Sequence, residues 1–336
     1  MVKVAIAGAA GELGREILDG IVERQKHEII ALVRRDPSLL PPLQGVTWTQ
    51  TSYQSGSELV QLLKGVDTLL CVFAVHRDPG NATQKMLIDA AVKAGVRHYA
   101  PAEWATSMKL DAHLDLTPWN EGKVEIRHYL EQVNKEKKVL EYSCFQVGIL
   151  MDYLGHPHRV SKYLTTMPMT VDIEKCHALV LSGSLTDKIT FTAARDIGKV
   201  VARAIEYEGK WPLVGGVSGT QISFEDLIRI GERVRGTPFT VESLQQEDVE
   251  SGELKTDNFF RVPFPDIPED QVESFSKLAT ISVMLGAKHG LGRSRTSGMK
   301  FCQIMNLLKW RIFSGRYGDL VAEGILDGET HFRMGY

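Results

Sequence analysis

The sequence predicts an α/β protein in which a doubly wound parallel sheet is followed by a smaller, mixed α+β part. Strand and helix patterns alternate through the first 150 residues, which is typical of a parallel sheet with helices on both faces. In addition, the first apolar strand runs directly into three glycines spaced three apart, Gly8, Gly11 and Gly14, where a helical pattern begins. Both observations favour a sheet that carries a ligand at the carboxyl ends of its strands.

The periodicity of apolar residues places the individual elements of this sheet. In the first half, strands are predicted at 2–7, 28–33, 46–50, 67–73, 96–100 and 139–145. Helices are predicted between them, at 12–25, 56–64, 82–94 and 119–134.

The second half of the chain has a less regular pattern. It is predicted to contain a loop-rich insert at 151–190, a short strand and a helix over 191–204, a helix over 223–235 and a surface excursion at 250–272. Ser223 is the expected N-cap of the third of these, since its hydroxyl can accept an early helical N–H. Met299–Ser314 carries an amphipathic stripe, interpreted as core, with a dimer face or a substrate wall as alternatives.

These elements predict two parts of the chain. Residues 1–150 are expected to form a nucleotide-binding domain of the Rossmann type, with 191–215 packing back on it. Residues 151–336 are expected to form the substrate-binding part.

The glycine-rich turn is predicted to hold a dinucleotide pyrophosphate. Gly8 permits a tight turn, Gly11 leaves room for the phosphates and Gly14 allows close packing of helix on sheet. The helix N-terminus offers free N–H groups to the anion. The residues expected around the pyrophosphate are Gly8, Ala10, Gly11, Glu12, Leu13 and Gly14. The alternative is a glycine-rich turn that binds nothing.

The end of the second strand predicts which dinucleotide is bound. Arg34 and Arg35 follow the strand at 28–33, where an NAD-binding chain would carry an acidic residue for the ribose 2′-hydroxyl. Two guanidinium groups suit a 2′-phosphate instead, so NADP(H) is the predicted cofactor. A solvated basic pair before a turn is the alternative.

Composition and charge exclude several classes of function. The chain has 336 residues, 43% hydrophobic residues and a net charge of −3, so there is a large core and no basic field for nucleic acid. No apolar run reaches membrane-spanning length, and we expect neither a signal nor a transit peptide. The four cysteines are far apart and are interpreted as reduced thiols of a cytoplasmic protein. A monomer or a homodimer that binds a small-molecule substrate is expected.

Three stretches resemble the NmrA-like, isoflavone-reductase-like branch of the atypical short-chain dehydrogenases. They are the glycine turn with its arginine pair, the run from Gln84 to Trp104, and the helix Gly122–Glu131 with the strand that follows it. The resemblance covers about residues 1–210 and implies an NADPH-dependent reductase. The tyrosine of the usual Tyr-x-x-x-Lys pair is replaced by Trp119, which cannot donate a catalytic proton. The isoflavone-reductase branch also lacks that tyrosine and relies on the lysine, here Lys123.

Lys123 and Glu103 are the predicted catalytic residues. A lysine held against apolar surface has a lowered pKa and can exchange a proton near neutral pH. Alternatively, Lys123 only binds the ribose hydroxyls of the cofactor or is an ordinary surface lysine. Glu103 follows the strand at 96–100 and is expected to orient Lys123 or to contact the substrate, unless it makes only a loop contact.

Residues after the other strands complete the predicted site. Additional cofactor contacts are expected from Ala74, Val75 and Phe145. Substrate contacts are expected from Trp104, His113, Gln146, Met151 and Tyr153. Asp111, His113 and Asp115 lie on one short loop that offers no fixed metal geometry, so no metal is predicted and the loop is interpreted as a cover for the substrate.

Two classes of function remain open from the sequence. The first is an NADPH-dependent oxidoreductase that reduces a C=C, C=N or C=O bond of a bulky secondary metabolite, or that couples reduction to cyclisation. The second is an NADP(H) sensor that binds a partner protein, as the resemblance to the NmrA side of the family implies. Retention of Lys123 favours the enzyme.

Overall fold

The computed structural model describes residues 1–262 and 267–292. Six parallel strands form one sheet in the order β3-β2-β1-β4-β5-β6. These strands are β1 (Lys3–Ala7), β2 (Glu28–Val33), β3 (Val46–Gln50), β4 (Thr68–Cys71), β5 (His98–Ala100) and β6 (Glu141–Tyr142). The order reverses between β1 and β4, which opens a crevice at the carboxyl ends of the strands. The predicted Rossmann-type sheet is confirmed.

Helices cover both faces of this sheet. They are α1 (Glu12–Val22), α2 (Gly56–Leu62), α3 (Ala82–Ala94), α4 (Glu121–Val133) and α5 (Ala194–Ala204). Successive side chains of β1 alternate between the two faces: Val4 and Ile6 join the core under α1 and α5, whereas Ala5 and Ala7 join the core under α2, α3 and α4. Burial on both faces explains why β1 reads as a continuous apolar run.

The prediction of a single strand at 139–145 is wrong, because this stretch divides at Ser143. The Ser143 N–H donates to the Tyr99 carbonyl (3.0 Å), which keeps β6 beside β5. The next N–H, of Cys144, donates instead to the Leu213 carbonyl (2.8 Å). The chain therefore leaves the main sheet as β7 (Cys144–Gln146) and pairs with the later strand β12 (Val214–Gly216).

The second half contains more regular structure than its sequence predicted, and the loop-rich interpretation of 151–190 is wrong. Two three-stranded sheets form here, β14-β10-β9 and β13-β11-β8. Their strands are β8 (Ile149–Leu150), β9 (Val171–Asp172), β10 (His177–Leu181), β11 (Lys188–Thr192), β13 (Thr220–Ser223) and β14 (Thr240–Leu244). They pack with α6 (Phe224–Arg235), α7 (Gln246–Glu250) and α8 (Glu269–Lys288).

Two further sequence predictions can be compared with this half. Ser223 caps α6 as predicted, since its Oγ accepts the Asp226 N–H (3.1 Å). The excursion at 250–272 is not all on the surface, because Phe260 and Val262 are buried against Ala279 of α8. The stripe at Met299–Ser314 lies outside the described residues.

Helix α5 returns from the second half and packs on α1 with almost no space between their backbones. A Cβ atom on Gly20 would lie 2.4 Å from the Gly198 carbonyl carbon, and one on Gly198 would lie 2.4 Å from the Glu16 carbonyl oxygen. Around this contact, apolar side chains of both helices share one core: Ile17, Leu18, Ile21, Ile197, Val200, Val201 and Ala204. None of the helices described is long and apolar enough to cross a bilayer.

The crossing of α1 and α5 leads to a stability prediction. Gly198→Ala should lower the free energy of unfolding by about 1–3 kcal/mol, because the new methyl group would overlap the backbone of α1. Gly286→Ala in α8 is the matched control, since its Cβ would find its nearest neighbour at 3.7 Å, an ordinary contact. The control should be neutral or stabilising by up to about 1 kcal/mol. Urea unfolding measures both, and equal midpoints for the two variants would contradict the prediction.

Candidate active site

The glycine turn between β1 and α1 is built so tightly that two of its positions exclude side chains. Gly8 has φ +82°, and a Cβ there would lie 2.7 Å from the Val72 carbonyl oxygen. A Cβ on Gly14 would lie 2.3 Å from the Gly8 carbonyl oxygen. The turn is closed by the Gly11 N–H, which donates to the same carbonyl (3.0 Å).

The outer side of this turn has room for an anion. Gly11 is exposed, and its added Cβ would meet only the Gly8 carbonyl oxygen, at 3.2 Å, within 4 Å. Ala10 and Leu13 are partly exposed beside it, whereas the carboxylate of Glu12 accepts the N–H of Thr165 (3.0 Å). Any contribution of Glu12 to a phosphate therefore comes from its backbone N–H at the start of α1. This cradle fits a pyrophosphate, as the glycine spacing predicts.

Two exposed arginines lie at the end of β2. The guanidinium carbon of Arg34 lies 5.7 Å from the ring centroid of Tyr53, in cation–π geometry. Neither Arg34 nor Arg35 forms a side-chain ion pair or hydrogen bond with any residue that the structure describes. Both side chains thus keep their donors available at the edge where a ribose 2′-phosphate is predicted.

Lys123 lies in the first turn of α4, close to the loop that follows β4. The preceding residue, Gly122, brings the helix against this loop, since a Cβ on Gly122 would lie 2.6 Å from Cγ1 of Val75. Ala74 precedes Val75 on the same loop and is exposed. The α4 terminus is also held by Asn81, whose Nδ2 donates to the Gly122 carbonyl (3.1 Å).

The amine of Lys123 is partly buried and has no hydrogen-bond or ion-pair partner among the described residues. Burial lowers its pKa below the usual value for lysine, and the charge of Arg127 acts in the same direction, whereas the carboxylate of Glu103 raises it. An unpaired, partly desolvated amine with a lowered pKa is suited to proton transfer.

Glu103 belongs to a buried polar network rather than to an open surface. Its carboxylate accepts both Nε and Nη2 of Arg127, and Oε1 also accepts Nε2 of Gln146 (3.0 Å). The side chains of Arg127 and Glu103 are 4% and 1% exposed. Glu103 and Gln146 are both buried in this structure, so the direct substrate contacts expected of them stay predictions. That Glu103 orients Lys123 stays a prediction; its carboxylate charge opposes part of the lowering of the Lys123 pKa.

Trp104 crosses the carboxyl end of β4. Its backbone has φ +34°, a conformation that is uncommon for a bulky residue, and its indole Nε1 donates to the Cys71 carbonyl (2.9 Å). Its partly exposed ring stacks on Phe145, with centroids 5.2 Å apart. Phe145 itself is fully buried in this structure, and its carbonyl accepts the Ala105 N–H (3.3 Å), so its expected cofactor contact stays a prediction.

The other predicted substrate residues lie in different surroundings. His113 ends a short 3₁₀ helix and stacks on His289 beyond α8, with ring centroids 4.9 Å apart. Met151 is buried, and Tyr153 is partly buried beside it in the second-half core. Asp111 of the predicted cover loop pairs with Arg127, Nη1 to Oδ1 2.6 Å.

A segment of the second half, residues 161–165, lies across α1 and is named here the α1 strap. The N–H of Tyr163 donates to Glu16 Oε1 (2.9 Å), and Lys162 pairs with Asp19. Arg15 donates to the Tyr163 hydroxyl (3.1 Å). Together with the Thr165 bond to Glu12, these contacts tie the second half to the helix whose N-terminus forms the cradle.

Arg127 is the main residue of this site that the sequence analysis did not single out. Its signal is positional, because it lies four residues after Lys123 and between the buried positions Val124, Ile126 and Leu130 of α4. A charged residue on the apolar face of a helix requires a buried partner. Its partner, Glu103, could not be recognised without the fold.

The sequence matches a known protein family and is similar to several oxidoreductases. The model of the NmrA-like family matches residues 2–288. The chain belongs to the NmrA-like family. Among similar proteins, oxidoreductase BOA1 of Botryotinia fuckeliana is 25% identical over 241 residues, covering 70% of this chain and 77% of that protein. Quinone oxidoreductase 2 of Escherichia coli is 25% identical over 253 residues, covering 73% and 79%.

Solved structures of similar fold carry nicotinamide cofactors. AtPrR2 with NADP⁺ and (+)-pinoresinol superimposes with a TM-score of 0.66 at 17% identity, covering 96% of this chain and 98% of that one. The E. coli quinone oxidoreductase with NADPH gives a TM-score of 0.60 at 21% identity, covering 88% and 92%. At these identities the likeness establishes the fold. The resemblance found in the sequence is confirmed at the level of the family.

The geometry of the glycine turn predicts how two substitutions will differ. Gly11→Val should abolish NADPH binding while the protein stays folded, because Gly11 has φ −73° and an exposed position that tolerates a side chain except where phosphates would lie. Gly14→Val should instead destabilise the fold, since its Cβ would overlap the Gly8 carbonyl. Circular dichroism and cofactor titration measure the two effects. Retained affinity in folded Gly11→Val would place the pyrophosphate elsewhere.

The buried pair gives a second stability prediction. Glu103→Gln should cost about 3–5 kcal/mol of folding free energy, because it leaves the buried guanidinium of Arg127 without its main counter-charge. Glu273→Gln is the control, since Glu273 forms an exposed pair with Lys277 in α8 and should contribute at most about 0.5 kcal/mol. Chemical denaturation of both variants checks the difference; a loss below 1 kcal/mol for Glu103→Gln would refute the assignment.

Proposed function

We propose that this NADP-dependent oxidoreductase of the NmrA-like family reduces a C=C, C=N or C=O bond in a bulky, ring-containing small molecule. The observation that carries the proposal is the amine of Lys123, which is partly buried beside the loop that follows β4 and has no hydrogen-bond or ion-pair partner among the residues described. Relatives named as oxidoreductases support the reaction class, and structural neighbours crystallised with NADPH or NADP⁺ support the cofactor. When bound, NADPH supplies the hydride.

Different residues of the crevice bind different parts of the cofactor. The cradle formed by Gly8, Gly11 and the α1 N-terminus takes the pyrophosphate. Arg34 and Arg35 take the 2′-phosphate, since guanidinium groups match phosphate oxygens. Ala74 and Val75 line the path from the pyrophosphate toward Lys123, and Trp104 crosses the adjacent strand end.

Lys123 supplies the proton that completes the reduction. Its ammonium form donates a proton to the anion that develops after hydride transfer, and its lowered pKa makes this transfer easier near neutral pH. Glu103 opposes part of this lowering through its negative charge. Trp119 occupies the position of the usual tyrosine and cannot donate a catalytic proton.

The substrate class follows from the aromatic surface near this lysine. Trp119 lies one turn before Lys123, and its ring contacts Phe275 of α8 at a centroid distance of 5.5 Å. Both rings are partly exposed. An aromatic surface of this kind favours a flat, apolar ring system.

A direct assay separates an enzyme from a cofactor sensor. The purified protein is mixed with NADPH and a panel of quinones, enones, imines and lignan-type compounds, and absorbance at the nicotinamide band is followed. Turnover of any ring-containing acceptor supports the proposal. Tight NADPH binding with no turnover across the panel contradicts it and favours a sensor.

Lys123 gives the most direct mechanistic prediction. Lys123→Met should lower kcat by about 10²–10⁴-fold with little change in the NADPH dissociation constant, because only proton transfer is lost. If Lys123 only binds ribose hydroxyls, the main change is instead in cofactor affinity. Steady-state kinetics combined with equilibrium titration distinguishes the two.

The pH profile provides the control for this substitution. In the wild type, kcat should fall as pH rises through the lowered pKa of Lys123, since the donor is the protonated amine. Lys123→Arg keeps the charge but does not deprotonate in this range, so the high-pH limb should disappear. A limb that persists unchanged in Lys123→Arg would assign the proton to another donor.

A further inference from the structure

Tyr53 contacts the ends of three strands of the main sheet at once. It follows β3 and is 3% exposed. Its hydroxyl reaches Gly8 after β1 and Leu32 of β2, and its ring packs edge-on against Phe73 after β4, with centroids 5.0 Å apart. Since its ring also lies near the guanidinium of Arg34, one side chain links the cradle to that arginine.

The Tyr53 hydroxyl is the donor in one hydrogen bond and the acceptor in the other. It donates to the Leu32 carbonyl (2.9 Å) and accepts the Gly8 N–H (3.3 Å). Burial raises the pKa of the phenol, so the proton needed for the first bond is retained. Since Gly8 is also confined by Val72, the Tyr53 bond fixes the first peptide of the cradle against the end of β2.

The face of the same ring lies beneath Arg34. The guanidinium carbon is 5.7 Å from the ring centroid, and contact with a ring face leaves the N–H groups at the guanidinium edge available to an anion. Tyr53 has φ +60°, and its N–H donates to Thr51 Oγ1 (3.1 Å), so a local turn holds the ring in this place.

We propose that Tyr53 is the positioning residue for cofactor choice: its ring holds Arg34 for the 2′-phosphate while its hydroxyl sets the glycine cradle at the matching distance. The inference rests on the proposed role of Arg34 as the 2′-phosphate contact. The proposal assigns different effects to the hydroxyl and to the ring of Tyr53. The hydroxyl acts on both NADPH and NADH, whereas the ring acts only on the cofactor that carries the 2′-phosphate.

The test measures dissociation constants for NADPH and NADH by fluorescence titration of the full chain. Tyr53→Phe keeps the ring and should weaken both cofactors by a similar factor, about 2- to 12-fold, with their ratio unchanged. Tyr53→Asn removes the ring at a left-handed position that Asn adopts readily. Besides weakening both cofactors, Tyr53→Asn should lower the preference for NADPH over NADH by about 2- to 5-fold. Tyr53→Leu is the second ring-free variant if Tyr53→Asn does not fold.

Two companion variants connect this effect to Arg34. Arg34→Ala should lower the preference for NADPH by about 10- to 150-fold through loss of a charge-assisted contact. In the Arg34→Ala background, Tyr53→Asn should change the preference no further. Tyr99→Phe is the matched control, since it removes a buried hydroxyl bonded to Gln84 (3.2 Å) in the same sheet and should leave the preference unchanged.

The possible failures are distinguishable. If Arg34→Ala leaves the preference unchanged, the assignment of the 2′-phosphate to Arg34 is wrong, and the inference is overturned with it. If Arg34→Ala lowers the preference but both ring-free variants of Tyr53 do not, the role of Arg34 stands and the inference on Tyr53 is overturned. The same holds if Tyr53→Asn lowers the preference equally with and without Arg34.

Discussion

Helix α1 is held at both ends by contacts between backbones that only glycine permits. At its N-terminus, Gly14 lies against the Gly8 carbonyl, and near its C-terminus Gly20 lies against Gly198 of α5. A helix seated in this way cannot slide or tilt without overlap of main-chain atoms. The position of its free N–H groups is therefore set by the fold, and the anion cradle depends on this constraint.

The opposite side of the crevice depends on a buried charge. The guanidinium of Arg127 is buried beside α4, and its charge is compensated by Glu103 and Asp111, which both lie between β5 and α4. A buried ion pair contributes little net stability, but separating its partners is costly. These ion pairs thus fix the course of residues 103–111, which include Trp104, and the charges of Glu103 and Arg127 also act on the pKa of Lys123.

The features that the sequence predicted correctly are those that depend on local sequence patterns. The β1–turn–α1 unit, the alternation of strands and helices in the first half and the Ser223 cap all follow from periodicity or from the conformational properties of single residues. The division of 139–145 at Ser143 did not, because a distant carbonyl, that of Leu213, determines it. The Glu103–Arg127 pair joins residues 24 positions apart, and the short strand β10 pairs with strands on either side of it in the chain. Such features depend on tertiary contacts that no window of sequence contains.

The packing of α5 on α1 also has a consequence for the order in which the chain folds. The core beneath α1 includes Val200 and Val201, so it is incomplete until more than half of the polypeptide has left the ribosome. Contacts between segments this far apart are slow to form, since a long loop must close first. Until then Ile17, Leu18 and Ile21 lack their cover, and the nascent first half presents an apolar face that must avoid other chains. Because α5 is needed to fix α1, the cradle at the α1 N-terminus is completed late in synthesis.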